Sequence, residues 1–191
     1  MSRPRRIDGF SYVGLERYFL TICTRDRRSA FADEATVATT LQEFRQIAED
    51  EKFGILAYCL MPDHAHFLIE GQSDQSDLRR FVRRAKQHSG AAYALRCKEP
   101  LWQEGYYERV LRKDTDAREV ARYILWNPVR ADLVENPAEY PYVGSDVWPV
   151  EEMIGSPAAG SKEFAAVSAP AGPKGPANAI PYNPTRPPLR R

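Results

Sequence analysis

The sequence predicts an α+β fold, an antiparallel sheet with helices laid on it, and three observations carry that expectation. Short runs of aromatic and β-branched residues alternate with longer segments whose apolar residues recur every three or four positions. Two of the short runs are separated only by Pro62-Asp63, a turn signal that makes them a hairpin and so antiparallel neighbours. The elements follow in the order strand, helix, strand, strand, helix, strand, which is the split βαβ, ferredoxin-like arrangement βαββαβ. An additional helix comes after it.

Each element has its own justification. Tyr18-Phe19-Leu20-Thr21-Ile22-Cys23-Thr24 is aromatic and β-branched, a first strand, and Arg25-Asp26-Arg27-Arg28 ends it with charge. From Asp33, the spacing of Val37, Leu41, Phe44, Ile47 and Ala48 predicts an amphipathic helix to about Glu51. Gly54 opens the hairpin, with strands from Ile55 to Met61 and from His64 to Ile69. Asp77 or Ser76 caps a second helix, whose stripe is Leu78, Phe81, Val82 and Ala85. It runs to around Arg96, with Gly90 as a weak point. Gly105 to Arg112 alternates as a fourth strand. A third helix starts near Asp114 or Thr115 and buries Ala117, Val120, Ala121, Ile124 and Leu125. Pro128 disfavours helix at the residue before it, so this helix ends near Asn127.

At 191 residues the chain accommodates one domain with a core, plus extensions. The expected division is a basic N-terminal arm over residues 1–11, a domain over 12–149 and a tail over 150–191. Eight of the fifteen prolines lie between Pro157 and Pro188, among Ala, Gly and Ser, so the tail cannot offset its ordering entropy and is expected to be disordered. It is either an inert extension or a loose contact for nucleic acid or a partner through Arg186, Arg190 and Arg191. A net charge of +1 points to no class of partner. No apolar run approaches the roughly 20 residues that span a bilayer, and no hydrophobic segment follows Met1-Ser2-Arg3-Pro4-Arg5-Arg6 as in a signal peptide. Cys23, Cys59 and Cys97 are too few and too widely spaced for a disulfide framework and read as free thiols in a reducing cytoplasm.

The hairpin is where chemistry concentrates. Side chains alternate across a strand, so Ala65, Phe67 and Ile69 share one face while His64, His66 and Leu68 share the other. If the apolar set faces the first two helices, the histidines look out of the free face and the third helix stands over them. Two readings of the pair are open at this point, packed histidines with satisfied hydrogen bonds or a metal site. The third helix presents Tyr123 and, one turn later, Asn127. Tyr123 is either a packed helix tyrosine or a nucleophile able to hold a covalent phosphate, with Tyr106 and Tyr107 as rivals. Asn127 is either a helix cap or, with His64 and His66, a third ligand. Two nitrogens and one oxygen with positions left open suit Mg²⁺ or Mn²⁺.

A basic band accompanies this constellation. From Leu78 to Arg130 there are thirteen Lys/Arg against six Asp/Glu. Arg79, Arg80, Arg83, Arg84, Lys86, Arg109, Arg112 and Arg122, with Trp102 as a stacking platform, are the expected DNA-binding residues.

Three blocks carry a resemblance. Leu60-Met61-Pro62-Asp63-His64-Ala65-His66-Phe67-Leu68, Leu101-Trp102-Gln103-Glu104-Gly105-Tyr106 and Ala121-Arg122-Tyr123-Ile124-Leu125-Trp126-Asn127-Pro128-Val129-Arg130-Ala131 resemble the signature blocks of the REP-associated tyrosine transposases, single-tyrosine HUH nucleases. Thr24-Arg25-Asp26-Arg27-Arg28 and Tyr140-Pro141-Tyr142 fit as well. The likeness spans roughly Tyr12 to Trp148. It implies a metal-dependent enzyme that cuts single-stranded DNA beside a hairpin, with metal on His64 and His66, a 5′-phosphotyrosine at Tyr123 and a released 3′-OH. It also implies a monomer or homodimer that works in the cytoplasm, at the nucleoid. Relatives usually carry Gly where this chain has Asp132, and a Ser-rich segment where it has Val143-Gly144-Ser145. The alternatives are a hairpin-binding protein of the same fold without cleavage, and an RNA-binding module, which would need exposed aromatics on the central strands.

Overall fold

The computed structural model describes residues 9–112 and 115–155. Strand β1 is Arg17–Cys23, helix α1 Glu34–Glu51, β2 Phe53–Met61, β3 His64–Gly71, α2 Leu78–Cys97, β4 Tyr107–Val110, α3 Ala117–Leu125, α4 Asn127–Arg130, β5 Val143–Gly144 and α5 Val150–Ile154. The order across the sheet is β4-β1-β3-β2-β5, every pair antiparallel. Its first four strands stand in the order that βαββαβ requires. The fifth is an addition to the expected sheet: Val143 and Gly144 pair with Cys59 and Tyr58. Buried Tyr140 anchors that edge by donating its hydroxyl to the Leu60 carbonyl at 2.8 Å.

Helices α1 and α2 cover one face of the sheet. Phe44 of α1 stacks on Phe67 of β3 at 4.5 Å, and Phe81 of α2 meets Phe44 edge-on at 6.0 Å. Asp33 caps α1 by accepting from the Thr36 amide, and Asp77 caps α2 by accepting from the Arg79 and Arg80 amides. Gly90 leaves α2 unbroken. The other face carries a second core, in which Val120, Ala121, Ile124 and Leu125 of α3 meet Phe19, Ala57, Cys59 and Leu68. Burial of this face stabilises α3, a nine-residue helix too short to hold in water alone.

Several boundaries differ from the sequence reading. Helix α3 begins at Ala117, a little after the expected start near Asp114 or Thr115, and is capped by Asp116, whose carboxylate accepts from the Arg118 amide. Asp114 lies outside the described residues. The helix ends at Leu125, and Asn127 opens the separate turn α4 with Pro128 at its start, a position where a missing N–H costs nothing. The domain does not stop at 149, because α5 buries Met153 against the α3 core. At the other end Tyr12 is buried and Phe10 packs against it edge-on at 5.1 Å, so the arm ends before them. The arm over residues 1–8 and the tail over 156–191 fall outside the described residues.

Asp132 has φ +55°. That is the left-handed region, which glycine enters at no steric cost and aspartate only tolerates. Asp132→Gly is therefore expected to raise unfolding stability by about 0.5–1 kcal/mol in urea melts.

Candidate active site

The hairpin positions the histidines. Met61 pairs directly with His64, so Pro62-Asp63 is a two-residue loop. Proline fixes φ near −65°, which rules out the primed turns that suit such loops. The turn is instead held from outside. Its Asp63 carbonyl accepts from the Thr24 amide at 3.0 Å and the Thr24 hydroxyl at 2.8 Å, and its Pro62 carbonyl from the Phe31 amide at 3.0 Å. A register shift between Ile55 and Ala57 then sets the phase of β2, so that Cys59 and Met61 stand opposite His66 and His64 on one face.

The two imidazoles converge. Their Nε2 atoms are 3.1 Å apart and the rings nearly perpendicular, at 85°. Each Nδ1 is held by a partner: His64 by the Asp63 carboxylate at 2.6 Å, and His66 by the Thr21 hydroxyl at 2.9 Å. Asp63 is fixed in turn by Arg27 Nε at 2.9 Å, and a second Arg27 nitrogen reaches the Cys23 sulfur. Burial works to raise the Asp63 pKa, but the bond to His64 and the Arg27 charge outweigh it and hold the carboxyl below its ordinary range. Ionised Asp63 can only accept, so His64 Nδ1 donates and its Nε2 is a lone pair when the ring is neutral. His66 is buried, and burial, followed by the charges of His64 and Arg130, keeps its pKa well below the usual imidazole value. Between two such nitrogens a proton or a cation must sit. The Thr21 hydroxyl can donate to or accept from His66 Nδ1, so it accommodates either.

That arrangement is what a metal site asks of its histidines, each fixed through the nitrogen that does not bind the ion. The donor set fits a divalent ion. Cys59 stands opposite His66, and burial pushes its thiol pKa up. Among the described residues no third His, Cys, Asp or Glu completes a cluster. Asn127 is buried, and its Nδ2 donates to the carbonyls of Tyr123 and Ile124, both at 3.2 Å. Its nitrogen therefore serves as the helix cap, and any ligand role falls to Oδ1.

Tyr123 lies on the histidine side. Phe19 touches both rings, with centroids 5.4 Å from His66 and 6.4 Å from Tyr123. Tyr123 is also well packed, 5% exposed. Of its rivals, Tyr106 packs into the core under α1 and α2. Tyr107 stays on the histidine face, opposite Thr21 on the edge strand β4.

The expected DNA contacts divide. Helix α2 lies across the sheet from the histidines, and its Arg79, Arg80, Arg84 and Lys86 have other partners. Arg80 and Arg84 both pair with the buried Glu51 of α1, and Arg84 with Asp50 at 2.8 Å. Arg79 stacks over Tyr12 at 4.8 Å, and Lys86 Nζ donates to the Gln103 carbonyl at 2.9 Å and to that of Gly105. Trp102 is a core residue whose indole donates to the Ser89 hydroxyl at 2.9 Å, not an exposed platform. Arg122 ties α3 to the Met153 carbonyl at 3.0 Å. Arg109 pairs in register with Phe19 and so shares the histidine face, while Arg112 is exposed just after β4 and Arg83 lies on α2. Replacing Arg80 and Arg84 together by alanine is thus expected to lower the urea midpoint, by stranding Glu51, and to leave oligonucleotide affinity unchanged. Loss of affinity at an unchanged midpoint would restore them to the DNA surface.

What the sequence reading missed are the supports: Thr21, Asp63, Arg27 and Arg130. The block Thr24-Arg25-Asp26-Arg27-Arg28 was the available signal, yet nothing in one dimension tells that it folds over the hairpin turn. No helix among the described residues is long and apolar enough to cross a membrane.

Comparison with known proteins places the chain. It is 26% identical to a REP-associated tyrosine transposase of Haemophilus influenzae over 174 residues, 82% of this chain and 96% of that one. It is 28% identical to the REP-associated tyrosine transposase of Escherichia coli K12 over 149 residues, 74% and 81% of the two chains. A solved REP-associated tyrosine transposase bound to a REP hairpin superposes with a TM-score of 0.63 at 25% identity, covering 75% of this chain and 82% of its own. The sequence model described as "Transposase IS200 like" matches residues 13–127, from before β1 through both histidines to Asn127. The chain belongs to the IS200-like transposase family.

Proposed function

We propose that this protein is a divalent-metal-dependent endonuclease and strand transferase that cuts single-stranded DNA beside hairpins, through a 5′-phosphotyrosine at Tyr123. The observation that carries this reading is the pair of Nε2 atoms 3.1 Å apart, each ring pinned through Nδ1, beneath the helix that bears the tyrosine. Mg²⁺ or Mn²⁺, held by His64, His66 and Asn127 Oδ1, would polarise the scissile phosphodiester. The chain's own residues do the rest. The Tyr123 oxygen attacks phosphorus, the bond to the 3′ oxygen breaks, and the phenolic proton ends on the released 3′-OH. The ester keeps the energy of the broken bond, so the reverse attack by a 3′-OH rejoins strands without a nucleotide cofactor. Such a protein acts in the cytoplasm, at the nucleoid.

Hairpin oligonucleotides with single-stranded flanks, incubated with Mn²⁺, test this. A covalent protein–DNA adduct is expected, with the phosphotyrosine mapped to Tyr123 by peptide mass spectrometry. Binding without any adduct would instead describe a hairpin-binding protein that does not cut.

A further inference from the structure

After α3 the chain changes direction. Trp126 adopts φ −85°, ψ 3°, and the next residues start a new turn with Pro128 near its beginning. The break swings Arg130 back onto α3. Its guanidinium carbon sits 3.8 Å from the Tyr123 ring centroid, and Nη2 donates to the Tyr123 carbonyl at 2.5 Å. Its positive charge is also felt at His66. Burial works against this cation and lowers its pKa, and no carboxylate is among the groups that counter the burial. A guanidinium with no carboxylate partner among the described residues, laid on Tyr123 on the histidine side of the sheet, is suited to an anion. It carries five N–H donors in a rigid plane, and only some are engaged.

We propose that Arg130 clamps the Tyr123 ring in its attacking position and binds the phosphate that this tyrosine takes up. The proposal rests on Tyr123 being the nucleophile. As the P–O bond to Tyr123 forms and the P–O3′ bond breaks, the equatorial oxygens carry more negative charge than in the substrate, so a fixed guanidinium beside them acts most strongly in the transition state. Arg130 exchanges no proton in this step. The kink at Trp126 and Pro128 then has a purpose, since an unbroken helix would carry residue 130 two turns beyond the ring.

Two readouts test it. Arg130→Gln is expected to slow adduct formation on the order of 100-fold with a smaller change in KM, and Arg130→Lys, which keeps the charge but loses the plane and fork, to fall between. Separately, in protein labelled with 3-fluorotyrosine, inorganic phosphate is expected to shift the Tyr123 resonance, assigned by its absence in Tyr123→Phe. That shift should vanish in Arg130→Gln and persist weakly in Arg130→Lys, whose spectra also report whether the fold is kept. Equal cutting rates, or an equal phosphate response in wild type and Arg130→Gln, would overturn the proposal. A phosphate response that depends on Arg130, in a protein that forms no adduct, would uphold the anion site and reject the nucleophile.

Discussion

Tyr123→Phe is expected to abolish the covalent protein–DNA adduct and to cut strand cleavage by at least about 10³-fold, as removal of a nucleophile does. The substitution takes one oxygen and leaves the ring. Its packing on Phe19 and under the Arg130 guanidinium is therefore kept, and stability should change by no more than about 1 kcal/mol. Oligonucleotide affinity should be retained, which separates chemistry from binding. Tyr107→Phe is the matched control, because Tyr107 shares the face and sits in the cross-strand row of Thr21 and His66. It should cut normally. An adduct that persists in Tyr123→Phe and disappears in Tyr107→Phe would move the nucleophile to the sheet edge.

His66→Gln carries the other large effect. Removing a group that merely orients a metal ligand costs about 10–100-fold in affinity, so removing a ligand should raise the Mn²⁺ needed for cleavage by at least about 100-fold. The same residue makes a prediction without metal or DNA. Burial, and next the His64 and Arg130 charges, hold its folded pKa well below the unfolded value of about 6.5. The unfolded chain then takes up a proton that the folded one refuses. Stability from this group is fully present above that pH and is lost as pH falls below it, toward the folded pKa, by up to about 1.4 kcal/mol per unit. Urea unfolding in EDTA from pH 7.5 down to 5 should show this slope, and His66→Gln should flatten it. An identical slope in both proteins would mean that His66 is not the group responsible.

Much of this molecule is local, and local features are readable in one dimension. The period-2 runs, the caps at Asp33 and Asp77, the Pro-Asp turn and the alternation that sets His64 and His66 apart from Ala65 and Phe67 all depend on neighbours within a few residues. So does the spacing that puts Tyr123 on a helix. The basic band was less legible, for the opposite reason. A charge count cannot tell a solvated arginine from one paired across two helices, and Glu51, about thirty residues away in the chain, holds both Arg80 and Arg84. Trp102 misled in the same way, because an indole is equally suited to a base and to a core.

From its own residues the chain determined the α+β architecture, the hairpin and which side chains share its outward face, since these follow from backbone periodicity and turn chemistry. Only the tertiary structure decided what completes the site. The slipped register at Leu56, the loop carrying Arg27 over Asp63, the hydroxyl of Thr21 under His66 and the kink that lays Arg130 on Tyr123 each join distant or redirected segments. Their cause is physical: polar groups withdrawn from water must find partners wherever packing brings them, and packing is a property of the whole fold.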